Sequence, residues 1–107
     1  MQVFYQLIYE YQKGLRDLCL HTCSAEFEDK IISSLEKQGI SYLICSIEKE
    51  KINVFFGSLS CLEILRQFSC KELDKLSTEE DFILGIMLGY GKSQQYDRFL
   101  ARKKHCA

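Results

Sequence analysis

Residues 2–23, QVFYQLIYEYQKGLRDLCLHTC, decide the fold. Lys13-Gly14 divides them into two strand-like runs, and glycine tolerates the positive φ that a tight turn demands. Read as a hairpin, the stretch pairs Tyr11 with Arg16, Tyr9 with Leu18 and Leu7 with Leu20 on a mostly apolar face. The other face pairs Glu10 with Asp17, Ile8 with Cys19 and Gln6 with His21. A helix over residues 2–12 is the competing reading. Within Leu18–Cys23, strand alternation sends Leu18 and Leu20 to one face and Cys19, His21 and Cys23 to the other.

Beyond this stretch the elements follow from periodicity and caps. A helix is predicted from Ala25 to Gln38, with Phe27, Ile31 and Leu35 every four residues, Ser24 before it and Gly39 as its stop. Ser41–Phe56 reads as a second hairpin with its tip at Glu48-Lys49-Glu50-Lys51. That register pairs Ile47 with Ile52, Cys45 with Val54 and Leu43 with Phe56, and places Ile44 opposite Phe55. Ser60-x-x-Glu63 and Ser77-x-x-Glu80 are capping-box patterns that open helices. The second of these runs Thr78–Leu88, apolar around most of its axis, and breaks at Gly89-Tyr90-Gly91. A last helix starts at Ser93 with Tyr96, Phe99 and Leu100 inward. The expected fold is α+β: a four-stranded sheet from two hairpins (ββαββ) with C-terminal helices packed on it.

Composition narrows the class. A chain of 107 residues with 47% hydrophobic content is one domain able to bury a core without staples. Its net charge of −1 gives no global electrostatic footprint for nucleic acid. No basic-then-apolar leader opens it, and the longest apolar stretch, Phe82–Tyr90, falls well short of the ~20 residues of a membrane helix. A cytoplasmic protein is expected. Its six cysteines, at 19, 23, 45, 61, 70 and 106, then read as reduced thiols filling apolar elements. They include no C-x-x-C pair.

Cys19, His21 and Cys23 on one strand face are the local cluster best suited to chemistry. Glu10 across the first hairpin completes a candidate thiol or metal site, since zinc takes thiolate, imidazole and carboxylate ligands. A redox reading needs one thiol with a lowered pKa beside His21. The bland alternative is a partly covered face of small residues. Gly57, Ser58 and Ser60 join a strand to a helix N-terminus, where free amides could hold a small anion; helix capping explains the same residues. Gly85 and Gly89 form a small-xxx-small spacing that lets a neighbour approach closely. Arg98, Arg102, Lys103, Lys104 and His105 suit the negative end of the last helix, and His105-Cys106 reads as a frayed tail. Tyr42, Ile44 and Phe55 form a candidate interface, because Ile44 and Phe55 put apolar groups on the second face of the hairpin.

The strings IYEYQKGLRDLCLHT, GISYLI with INVFFG, and EEDFILGIMLGYGKSQQYDRFL span nearly the whole chain. On them the chain resembles a family of small bacterial proteins catalogued as a domain of unknown function. The resemblance implies a compact α+β fold of about 100 residues in a bacterial cytosol. It also implies a loose link to flavodoxin-type partners, and aliphatic residues at the positions of Cys19 and Cys23 in relatives.

The sequence contains no paired-carboxylate geometry, no Ser/His/Asp arrangement, no P-loop and no G-x-G-x-x-G. The expected function is a non-enzymatic binding or regulatory module that self-associates as a homodimer or docks a protein partner. No cofactor is expected. A thiol- or metal-dependent redox accessory and a binder of small anions at Gly57–Ser60 are the alternatives.

Overall fold

The computed structural model describes residues 1–69 and 72–106, without the side chains of 105 and 106. Cys70 and the side chains of His105 and Cys106 therefore lie outside the described set. The fold is α+β, but residues 2–12 are helical and the sheet has three strands rather than four. Helix α1 spans Gln2–Gln12, followed by strand β1 at Leu18–Ser24. Its core-facing residues explain the helix: Met1, Phe4, Leu7, Ile8 and Tyr11 recur at helical spacing and all reach one hydrophobic cluster. As a strand, residues 2–12 would turn half of those side chains away from it.

After β1, a short 3-10 turn at Ala25–Phe27 leads into α2 at Glu28–Lys37, where Ile31 and Leu35 are buried as their spacing predicts. Gly39, at φ +69, lets the chain leave the helix. Strands β2 (Ser41–Ile47) and β3 (Lys51–Gly57) form the expected hairpin one residue out of the predicted register. Ile44 pairs with Val54, Leu43 with Phe55 and Cys45 with Asn53. The shift arises at the tip, where Lys49 and Glu50 adopt positive φ and the loop closes on three residues instead of four. Because β3 is buried on both faces from Ile52 to Gly57, its apolar pattern does not pin the register.

β3 is the central strand, antiparallel to β1 on one side and β2 on the other. Helices cover both faces. On the first face, Phe4 and Ile8 of α1 and Ile31 and Leu35 of α2 pack against Cys19, Ile52, Val54 and Phe56. On the second, Leu62 and Leu65 of α3 (Leu59–Arg66) and Leu84 and Leu88 on and beside α4 (Thr78–Met87) pack against Leu18 and Phe55.

Two of the helix starts differ in kind. Ser77 and Glu80 form the predicted capping box, each side chain bonded to the other's backbone amide. Ser60 caps nothing: α3 begins earlier, with Ser58 at its N-cap and no side-chain cap bond. Helix α5, Lys92–Cys106, packs on α4. It corrects the expectation of an inward Tyr96–Phe99–Leu100 stripe. Tyr96 and Leu100 are exposed, and Phe99 stacks edge-on against Phe82 at 5.2 Å. Gln95 takes the inward position, directly over Gly85.

Candidate functional site

The alternation in β1 is as predicted, with Cys19, His21 and Cys23 on one face and Leu18 and Leu20 on the other. That face is not open, because α1 lies on it. Cys19 is buried and its thiol points at the Leu7 carbonyl 3.5 Å away. Burial pushes the thiol up to about 11, against a weaker opposing pull from Arg16. Burial also raises Cys23. Both shifts run opposite to the one an attacking thiol needs. The His21 ring packs beside Phe4 with centroids 5.5 Å apart, and burial holds its pKa below the ordinary value.

Glu10 does not join them. Its carboxylate accepts from Arg16 Nε at 2.5 Å and from Gln6 Nε2 at 3.2 Å, and the Arg16 bond holds its pKa low. Arg16 also donates to the Leu88 carbonyl, tying the end of α1 to the end of α4. Among the described residues, no three of His, Cys, Asp and Glu come together in a group that could hold a metal ion.

The turn at Gly57–Ser60 is committed to the fold. Gly57 has φ +139, and a Cβ there would sit 2.4 Å from the Asp17 carbonyl oxygen. The Ser58 amide donates to that same oxygen at 2.8 Å, and the Ser58 hydroxyl engages the Cys61 thiol. The Asp17 carboxylate lies close enough to act on Cys61, so the N-terminus of α3 already has an anion of its own nearby.

The candidate interface is divided by the register shift. Phe55 is fully buried under α3 and α4, while Ile44 and Tyr42 pack on the opposite face. The Tyr42 hydroxyl donates to Glu36 at 3.3 Å. Three basic residues of α5 are also engaged. Arg98 and Arg102 both pair with Asp81, Lys103 pairs with Glu79, and Arg102 donates to the Leu76 carbonyl.

The structure instead assembles a cleft that the sequence did not announce. It has a volume of about 300 Å³ and lies between the sheet and the α4–α5 pair. Leu20, Leu76, Leu84 and Leu88 make its walls apolar, and the Asp81–Arg98 pair stands at its rim. Gln95 lines it with only 8% of its surface exposed; its side-chain amide bonds no described residue, and its polar atoms are open to the cleft rather than sealed off. Gly85 makes room for it: a Cβ at residue 85 would lie 2.0 Å from Gln95 Oε1. The small-xxx-small spacing pointed to close approach at Gly85, but nothing local marked Gln95 as the approaching group.

Over residues 2–102 the chain matches the family described as "Protein of unknown function (DUF2023)". The chain belongs to this family. The match covers α1 to most of α5, so both the thiol face and the cleft lie within the family's span. No curated protein matches the chain. Among the described residues no helix is long and apolar enough to cross a membrane.

Proposed function

We propose that this chain is a non-enzymatic cytoplasmic binding module, its thiols reduced, that docks a protein partner in the cleft between the sheet and the α4–α5 pair. The observation that carries this reading is the Gln95 amide. It lines a leucine-walled cleft, makes no hydrogen bond within the described residues and keeps its polar atoms open to the cleft, so it is free to bond an incoming group. A partner group that both donates and accepts would satisfy it, and the leucine walls would take an apolar side chain. The groups with chemical reactivity point the other way: both thiols on β1 are raised and Glu10 is held by Arg16.

The test is a cleft-blocking substitution at Leu73, which lines the cleft and is 36% exposed, so a change there spares the core. In native extract the wild-type chain should elute from a sizing column in a complex larger than its 12.5 kDa. Leu73→Arg should elute as the bare chain with an unchanged melting temperature. Retention of the complex by Leu73→Arg would remove the cleft as the docking site.

A second reading, pairing of two copies of this chain, draws on the outer side of the α4–α5 pair. There Tyr96 and Leu100, one helical turn apart on α5, are 49% and 63% exposed. Light scattering decides it: a purified chain that doubles in mass and reverts with Leu100→Lys supports pairing, and a monomer at every concentration excludes it.

A further inference from the structure

The cleft beside Gln95 has a neighbour. A second cavity of about 490 Å³ opens on the same face of the sheet, lined by Thr22 and Asn53 with Glu48, Glu72 and Asp74 around it. Leu73 lines both cavities, so the two adjoin at its side chain. We propose that these neighbouring cavities take an extended segment of the partner, seating an aliphatic side chain beside Gln95 and a basic side chain, two residues away, beside Asn53. The proposal rests on the docking reading above and names the chemistry that the cleft would recognise.

Spacing is the first argument. The sheet floor of the first cavity is Leu20 and that of the second is Thr22, successive same-face residues of β1. Such residues lie roughly 6.5–7 Å apart. An extended peptide repeats its own same-face side chains at that interval, so alternate side chains can enter the two cavities in step.

Polar groups give the second argument. Asn53 is 2% exposed, and its Oδ1 accepts from Thr22 Oγ1 at 2.5 Å. Its amide nitrogen has no partner among the described residues, as is true of the Gln95 amide. Two carboxamides, one lining each cavity and open to it, match the donors and acceptors of a peptide backbone, which an extended segment leaves unpaired.

Charge then separates the two ends. The first cavity is walled by leucines and its rim charges neutralise each other as Asp81–Arg98. Among the described residues the second has three carboxylates and one lysine, Lys75, which is already paired with Glu72 at 2.7 Å. A lysine or arginine side chain complements that surplus.

The experiment is a positional-scanning library of acetylated, amidated heptapeptides in a serine–threonine background. Binding to the full chain is read by fluorescence polarisation and located by amide chemical shifts. The expected result is selection of leucine or isoleucine at one position and lysine or arginine two positions away, with shifts at Leu20, Thr22, Asn53 and Gln95. Gln95→Leu should weaken the selected peptide at least about tenfold. The exposed Asp74→Lys should weaken it by about fivefold, and leave unchanged a version with alanine in place of the basic residue. Peptides that shift the cleft residues without this spacing overturn the inference and leave the docking reading standing. N-acetyl-leucine amide binding as tightly as the best heptapeptide would make the occupant a small molecule and overturn the inference as well. A library that shifts no cleft residue overturns both.

Discussion

Arg98 on α5 grips the Asp81 carboxylate of α4 with two prongs, Nε donating to Oδ2 at 2.7 Å and Nη2 to Oδ1 at 3.1 Å. Arg102 adds a third contact at 3.2 Å. Helix α5 contributes no side chain to either buried hydrophobic cluster among the described residues, so this grip holds it in place together with the Phe82–Phe99 contact, the Lys103–Glu79 pair, the Arg102 bond to the Leu76 carbonyl and Gln95 packed over Gly85. Asp81→Ala should loosen α5 by about 1 kcal/mol, the discounted value for a pair with a half-exposed arginine. Amide exchange should show lower protection in α5 with β3 unchanged; equal loss in both would mean that Asp81 supports the whole fold.

Gly57 is where β3 meets the start of β1. At φ +139, with the Asp17 carbonyl 2.4 Å from the site of a Cβ, an alanine must move backbone rather than a side chain. Gly57→Ala should cost about 3 kcal/mol or more in urea unfolding. Gly14 is the matched control. Its φ is +78 with open space around it, so Gly14→Ala should cost only about 1 kcal/mol. Equal costs would show that the close approach at Gly57 is relieved without strain.

Acid should weaken the protein before its carboxylates titrate. Burial against Phe4 lowers the pKa of His21 from its ordinary 6.5, so the folded chain resists a proton that the unfolded chain accepts. Between those two pKa values the unfolded state binds more protons, and stability falls as pH drops through 6.5. The melting temperature should therefore decline from about pH 7 to about pH 5.5. His21→Phe keeps a ring on Phe4 and removes the titration, and its curve should be flatter over that range. A parallel decline in the variant would assign the effect to other groups.

Thiol labelling should separate the cysteines. With a pKa of about 11, Cys19 is ionised to roughly one part in a thousand at pH 8, against about one part in ten for an ordinary thiol near 9. Its alkylation in the native chain should be at least about a hundredfold slower than in urea, as mass-spectrometric mapping would show. Prompt labelling of native Cys19 would mean that the α1 face opens readily and would revive a thiol role for it.

Much of the layout was legible because it rests on local signals. Ser77-x-x-Glu80 became a capping box, Ile31 and Leu35 became the buried stripe of α2, and Cys19, His21 and Cys23 share a strand face. The misreadings share a cause. Residues 2–12 are rich in aromatic and β-branched side chains, which favour strands, yet Phe4 and Ile8 sit a turn apart and only their burial against β1 and α2 makes the helix pay. The register of β2 and β3 slipped because both sheet faces are apolar, so either alignment looked equally well patterned.

For the site, the sequence alone determined which residues carry chemistry and which faces they take, because alternation and caps are properties of neighbours along the chain. It determined a helix break at Gly89 and room for close approach at Gly85. Only the tertiary structure decided that α1 covers the thiol face, raising Cys19 by burial, and that Gln95 lies over Gly85 in a leucine-lined cleft. Covering, burial and the lack of a partner are relations between segments distant in sequence, and no local pattern encodes them.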